Sequence, residues 1–479
     1  MSTVDRAIPL RANFIAGSNS PSRGTATLIK FAPATGEALY RICESNAADI
    51  GDAALAAREK FAWWSARTAA ERSAVLLSLA SALEQSASDL IYILSSEQGI
   101  PAALAREHEV PAALQAIRYW ATRILHEEGG ARPIASGGLA YTRRRALGPV
   151  GILGSATRPL SSLLHQIAGA LASGNTVVAK PSSLAPGLGL RIAALANEAG
   201  LPPGALNFVF GSRAGAGRAL VECKDIALLA FTGRPESAAL VRQQAAAVGL
   251  RFYAQSGGRH ATIVNHDADI AEAALATVRG AFSPLNEPGL DVSQVFVHAS
   301  VAEAFAEKLS RTAELLRVGD PEARDTQVGP LLTQGARENF ERYLAAGRSL
   351  TIISPAAGER PTLAPEFSAG FFVAPTLVNG ARLEGISPSG PLLHQETFAS
   401  EKELLDRLLL HPYQAGSFWT KSLGAGLAFA QRLPFAAVCL NAWSLPDPYH
   451  LGGGAKHLGS APSDPWDAFT ALQTIRVKI

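Results

Sequence analysis

The chain has 479 residues, 48% of them hydrophobic, with 43 Lys and Arg against 41 Asp and Glu for a net charge of +2. That length exceeds what one ordinary core fills, so two or more domains are expected. The near balance of interspersed charges excludes an electrostatic footprint for nucleic acid or for an anionic membrane surface.

Residues 11 to 45 read as short strands and turns that include the segment FAPATGE. From Asn46 to about Glu128 apolar residues recur at three- and four-residue spacing, which predicts several packed helices with Asn46 just before the first. Gly129-Gly130 breaks that pattern. Arg132 to Arg145 then alternates as a β-hairpin does, with Gly137-Gly138 at its turn. From Gly148 the text alternates strand and helix: GPVGILGS, a helix from Leu160 to Ala172, GNTVVAKPS, a helix to Ala199, LNFVFG, a helix to Glu222, IALLAFTG, a helix to Val248, and FYAQSGG. Short strands rich in Val, Ile and Leu between such helices predict a parallel sheet covered on both faces, a dinucleotide-binding architecture. A second α/β segment runs from Ala261 to about Leu440. The tail, Asp464 to Ile479, ends in TIRVKI, whose alternating Ile475, Val477 and Ile479 suit a strand with one buried face.

Cys43, Cys223 and Cys439 lie far apart without CxxC spacing, so buried thiols in a reducing compartment are expected, with no disulfide and no zinc site. The histidines include no HExxH or paired ligand spacing, so no metal is expected. No basic start followed by an apolar run opens the chain, and no window approaches the roughly twenty apolar residues of a membrane span. A cytoplasmic protein with neither a membrane nor a nucleic-acid partner is the expectation.

Several motifs occur in a fixed order over essentially the whole chain: FAPATGE, Gly154 to Leu160, Gly174-Asn175-Thr176-Val177-Val178-Ala179-Lys180-Pro181-Ser182, Phe231-Thr232-Gly233, Gln255-Ser256-Gly257-Gly258-Arg259, Gly280 to His298, and His394 to Phe398. Together they resemble the landmarks of the aldehyde dehydrogenase superfamily. The resemblance implies an α/β fold with a Rossmann-type dinucleotide-binding domain over residues 1–130 and 149–256. A catalytic-type α/β domain would span 257–445, and a small β oligomerisation element 131–148 and 460–479. It also implies at least a homodimer.

The resemblance implies NAD or NADP as cofactor. Lys180 matches the lysine that bonds a ribose hydroxyl, within a motif that continues through Ser182. Where NAD-selective relatives often carry a glutamate this chain has Ser183, which with a nearby Arg213 would tolerate NADP. Phe231, Thr232 and Gly233 match the turn whose helix N-terminus faces the pyrophosphate. Arg234 replaces the serine that follows and Ala238 a later glycine, so Arg234 either pairs with phosphate or fills the groove. Glu396 and Phe398 match the residues that hold the nicotinamide ribose and pack beside the ring, although Ala399-Ser400 replace the family's Gly-Pro.

The chemical positions differ. In the family a thiolate forms a thiohemiacetal, an asparagine helps to hold the oxyanion, and a glutamate activates the deacylating water. Aligning GAFSPLNEPGLDVSQVFVH with the family's GAFFNQGQVCTAGSRLFVH puts Gly289 at the nucleophile. Gln255 falls on the glutamate of ELGGK, and Thr157 on the asparagine of NFPL. Cys439, Ser293, Asp291 and Glu287 are the nearby substitutes, but no histidine precedes His298 in that loop to activate a serine. Gly452 to His457 fails the phosphate-loop spacing and matches a family loop instead. The expectation is a non-catalytic homologue that binds NAD(P) as a structural or regulatory subunit, beside an active paralogue or another enzyme subunit. The alternative is a working NAD(P)-dependent aldehyde dehydrogenase with reorganised chemistry.

Overall fold

The computed structural model describes residues 8–126, 129–135, 137–256, 258–283, 291–347, 351–352, 361–382, 390–410, 413–443 and 465–478. Glu287, Gly289, the loop from Gly452 to His457 and Ile479 lie outside the described residues.

The expected first helix is Ala47–Ser65. Asn46 caps it by accepting from the backbone of Ala48 and Asp49, while the Asp49 carboxylate returns to the Asn46 N–H. Thr68 and Glu71 repeat this reciprocal cap at Ala69–Gln85. Each such cap satisfies orphan N–H groups and is worth about 1 kcal/mol.

The strand-helix alternation builds a seven-stranded sheet. Its order is Arg251–Ser256, Leu228–Gly233, Pro149–Leu153, Thr176–Lys180, Leu206–Phe208, Asn13–Ile15 and Ser18–Ser20. The first five strands are parallel, and the two N-terminal strands close the edge antiparallel. Successive residues feed opposite cores: Val177 and Ala179 join one, Val178 the other, and Ala230 is likewise separated from Leu229 and Phe231. Burial on both faces is why these strands read as continuous apolar runs.

One expected helix differs. The segment ending at Glu222 is a π-helical turn, Arg213–Gly217, followed by a short α-helix, Arg218–Glu222. The Glu44 carboxylate takes the N–H groups of Ser212 and Ala216 at its start, and a Cβ on Gly215 would lie 2.0 Å from that carboxylate. The small side chains let the acid sit against the backbone.

A second seven-stranded sheet has the order Thr351–Ile352, Thr376–Asn379, Leu392–Phe398, Asp291–His298, Arg259–Val264, Tyr413–Trp419 and Ala437–Leu440. It is parallel apart from its first strand. Ile263 and Phe296 face one core, Val264 and Val297 the other.

The expected hairpin is Ala131–Pro133 with Leu139–Ala146, and the tail strand Thr470–Val477 pairs antiparallel along the whole of the latter. Gly138 has φ +122°, and a Cβ there would lie 2.3 Å from the Val477 carbonyl, so the turn and the tail together demand glycine. Asn175 ties this sheet to the first one. Its amide donates to the Phe469 carbonyl at 2.8 Å and accepts from the Leu147 N–H at 2.7 Å.

Cys43 is buried, but Cys223 and Cys439 are only half-buried, a departure from the expectation; none of the three is in a disulfide. Both of the half-buried cysteines sit near strand or helix ends, where cover is incomplete. Among the described residues no helix is long and apolar enough to cross a membrane, and no cluster of three or more His, Cys, Asp or Glu is placed to hold a metal.

The tightest packing lies where the Ser161–Ala172 helix meets Trp120 and Phe469, both fully buried. A Cβ on Gly169 would come within 2.9 Å of both rings. Gly169→Ala is expected to destabilise the protein, because overpacking costs about 1–3 kcal/mol and outweighs the roughly 0.5–1 kcal/mol that alanine contributes in a helix. A lower urea midpoint for the variant checks this.

Candidate functional site

Pro149–Leu153 is the middle one of the five parallel strands of the first sheet. The two strands that follow it in sequence extend the sheet to one side, and Leu228–Gly233 with Arg251–Ser256 extend it to the other. The strand ends diverge there, and in open parallel sheets that crevice is where ligands bind.

Lys180 ends its strand directly beside Leu153. Its ammonium is buried and donates to the carbonyls of Pro181 and Gly211, each at 3.1 Å. Burial lowers its pKa to about 8, with the nearby Glu44 carboxylate opposing the shift. Ser182 Oγ accepts from the Leu184 N–H at 3.2 Å, and Ser183 follows half-buried in the same turn. Across the crevice mouth Arg213 donates to Ser237 Oγ at 3.0 Å, joining the π turn to the Pro235–Ala247 helix.

On the other side of the crevice Phe231 and Thr232 are buried, and Gly233 ends the strand. Arg234 is the exposed N-cap residue of the Pro235–Ala247 helix. Thr232 Oγ1 accepts from the Gln166 amide at 2.7 Å, while the Gln166 carbonyl oxygen is buried without a partner. Gln255 lies directly across from Thr232 on the neighbouring strand and is half-buried. The glutamate position therefore sits at the crevice edge, with an amide in place of an acid.

Thr157 lies in the loop after Leu153, half-buried, with its N–H donating to Ser155 Oγ at 3.0 Å. The next residue, Arg158, adopts φ +47°, unusual for a residue other than glycine. Fully buried Glu109 takes the N–H groups of Leu160 (3.0 Å) and Ser161 (2.9 Å) on one oxygen, and Ser161 Oγ (2.9 Å) and Arg158 Nε (3.3 Å) on the other. A carboxylate at a helix N-terminus meets both the open N–H groups and the helix dipole. It fixes the loop that presents Thr157.

The remaining cofactor positions are on the second sheet. Glu396 accepts from the Gln294 amide at 2.5 Å and lies 3.6 Å from Arg407. Phe398 is buried edge-on to His298, with ring centroids 5.4 Å apart. Lys180, Thr232 and Gln255 make no hydrogen bond to Glu396 or Phe398. The loop bearing position 289 returns to the described residues at Asp291, which pairs with Arg259. Ser293 Oγ just beyond is buried without a partner. Cys439 is half-buried on the edge strand beside Ser417.

Glu44, Glu109 and Gln166 carry much of this geometry, and no motif singled them out. Each lies in a stretch that reads as an ordinary helix or turn, and each acts on partners 49 to 172 residues away.

The model of the aldehyde dehydrogenase family matches residues 20–475. The chain is 31% identical to the 2-aminomuconic semialdehyde dehydrogenase of Homo sapiens, covering 98% of this chain and 99% of that one. It is 32% identical to the aminoacetaldehyde dehydrogenase of Pseudomonas aeruginosa, covering 98% and 95%. The solved NAD+ complex of an aldehyde dehydrogenase from Bacillus cereus superposes with a TM-score of 0.92 at 28% identity, covering 100% of this chain and 99% of that one.

Lys180 yields a test of the crevice's electrostatics. Its folded pKa of about 8 lies below the ordinary 10.5, so between those values the unfolded chain binds more protons and stability rises with pH. Lys180→Met is expected to remove this contribution, on the order of 1.4 kcal/mol per pH unit at most. The stability advantage of the variant over wild type should shrink as pH rises from about 8 to 10.5 and stay level below that window. Denaturant midpoints of the two proteins across that range check it.

Proposed function

Because the chain belongs to the aldehyde dehydrogenase family, we propose that it binds NAD or NADP at the crevice formed by Lys180, Ser182, Phe231, Thr232 and Gly233, with Glu396 and Phe398 toward the nicotinamide end. Lys180 would give its ammonium to a ribose hydroxyl in place of a backbone carbonyl. The exposed setting of Arg234 supports a phosphate contact over a plug. Ser183 stands where NAD-selective relatives often carry a glutamate, and Arg213 lies nearby, bonded to Ser237, so NADP is tolerated. Solved relatives with bound NAD support this reading.

Within that frame the protein is a non-catalytic homologue. One observation carries this: the three chemical positions hold Gly289, Gln255 and Thr157 together. Glycine has no nucleophile and a glutamine amide takes no proton near neutral pH. Loss of a general base alone costs about two to four orders of magnitude in rate. A second reading, a working NAD(P)-dependent aldehyde dehydrogenase with reorganised chemistry, is favoured by the relatives, which are named as dehydrogenases. By themselves they support that reading better; the residues of the site support the first.

Two measurements separate the readings. Millimolar NAD or NADP should raise the melting temperature, since a ligand at a hundredfold excess over Kd stabilises by about 2.7 kcal/mol. No aldehyde in a broad panel should yield NAD(P)H above background; robust turnover with any of them establishes the second reading. Gly289→Cys alone should give at most one equivalent of NAD(P)H, because Gln255 cannot activate the deacylating water. Turnover needs at least Gly289→Cys, Gln255→Glu and Thr157→Asn together.

We also propose that the protein is cytoplasmic and at least a dimer, and that the hairpin and tail strand form the oligomerisation element. One face of their sheet leaves Leu139 36%, Tyr141 37% and Val477 42% exposed, a surface that suits a second copy. Light scattering should report an oligomer for the full chain at micromolar concentration and a smaller species for a chain ending at Ala471. A monomeric full chain refutes the assembly.

A further inference from the structure

Two turns of the N-terminal region rest on the second α/β segment, and both grow out of elements that meet at one buried lysine. The first, residues 32–37, joins the antiparallel strands Thr27–Phe31 and Ala38–Cys43. Its Pro33 carbonyl accepts from the Phe371 N–H at 2.9 Å, and its Gly36, at φ +73°, lies against the Ala369 backbone. The second follows the helix Ala87–Gln98. There Gly99, at φ +66°, packs on Pro330, and the Ala102 N–H donates to the Pro321 carbonyl at 2.7 Å. A side chain on Gly370 would overlap the Ala34 carbonyl, and one on Gly329 the Gly99 carbonyl, so backbone meets backbone at both contacts. On the far side the two landing points are tied together, because the Leu331 N–H donates to the Phe371 carbonyl at 3.0 Å.

On the near side the tie is Lys30. Its Nζ is buried and donates to the Phe31 carbonyl at 2.8 Å and to the Glu97 carbonyl, in the last turn of the helix, at 2.5 Å. One nitrogen thus fastens the root of each turn to the other. Three further titratable groups face it. Glu97 is buried, accepting from the Tyr40 hydroxyl at 2.5 Å on one oxygen and from the Gly187 N–H at 3.0 Å on the other. Tyr40 lies directly across from Lys30 on the neighbouring strand, and the Arg11 guanidinium sits 5.6 Å from the centre of its ring. Burial lowers the Lys30 pKa to about 8, opposed by the Glu97 carboxylate, and raises those of Glu97 and Tyr40.

The hydrogen bonds suit the neutral amine. Among the described residues two carbonyls accept from Lys30, and a neutral amine has two hydrogens to give, whereas an ammonium has three. The ammonium also brings a charge out of water, which burial penalises. That penalty vanishes when the turns lift and Lys30 meets water, so a proton favours the open form.

We propose that Lys30 is the pin of a proton-sensitive clasp between the two α/β segments: with the amine neutral the two turns grip residues 321–331 and 369–371, and protonation loosens that grip. The clasp requires neither catalysis nor bound nucleotide.

The full chain without nucleotide tests this by pulsed hydrogen exchange with mass-spectrometric readout from pH 7 to 10.5, each pulse scaled to the intrinsic exchange rate. Peptides carrying Ala102 and Phe371 report the two contacts, and one carrying Ile152 in the first sheet reports the whole fold. The folded pKa of about 8 lies below the ordinary 10.5, so the closed form gains stability as pH rises between those values and stays level below them. Protection at Ala102 and Phe371 is therefore expected to be flat below pH 8 and to rise above it by at most about tenfold per pH unit. Both contacts should exchange ahead of Ile152. Lys30→Arg, whose guanidinium keeps its charge, and Lys30→Met, which has none, should each remove the rise. At pH 10 the arginine variant should be less protected than wild type by about fivefold or more. The arginine variant and wild type suffice if Lys30→Met fails to fold. The proposal is overturned if wild-type protection at the contacts is flat across the window, or if a variant retains the rise, which then belongs to another group such as Lys180. It is equally overturned if the contacts are as protected as Ile152, since they then open only when the whole chain unfolds.

Discussion

A parallel sheet buried on both faces leaves only its strand ends for polar chemistry. Val150, Ile152, Val177, Val178, Ala179, Leu229, Ala230 and Phe231, in the middle of Pro149–Leu153, Thr176–Lys180 and Leu228–Gly233, are each committed to one of two apolar cores. Lys180, Thr232, Gln255 and the loop bearing Thr157 therefore collect at one edge, where the strands part on either side of Pro149–Leu153. The rest of the molecule secures that edge. Glu44 holds the turn behind Lys180, Gln166 reaches Thr232 from the helix beneath, and Glu109 clamps the loop after Leu153.

How much of this could be read from sequence follows from where the information lies. The parallel sheet was legible because burial on both faces writes itself as short runs such as TVVAK and LLAFTG. Lys180 and Phe231-Thr232-Gly233 were legible because backbone and side chain of consecutive residues make the site. Glu44, Glu109 and Gln166 were not. An acid in a helix usually marks a solvated face, and only the tertiary structure turns Glu109 inward, to full burial against a helix N-terminus. The π turn at Arg213–Gly217 was missed for a related reason, since its cause, the Glu44 carboxylate, lies 168 residues from Ser212. Position 289 depends on alignment alone, because its loop lies outside the described residues.

The retained and altered positions differ in what they ask of the fold. Lys180 is buried with its hydrogen bonds made internally, and Thr232 and Phe398 are packed within cores or against them. Replacing such residues leaves a cavity or an unpaired polar group, each costly. Thr157, in the loop after Leu153, and Gln255, near the end of its strand, are by contrast half-buried. Glutamine keeps the shape and hydrogen-bonding reach of glutamate and loses only its basicity.

This asymmetry bears directly on the reading proposed here. If selection on turnover were relaxed, the Glu and Asn of the half-buried positions 255 and 157 could change at little cost in stability, because such positions contribute chemistry and few core contacts. Lys180 and the Phe231-Thr232-Gly233 turn could not change so freely, since the sheet edge is built from them. A family member could thus lose its thiohemiacetal chemistry while keeping the crevice, both sheets and the hairpin-tail element.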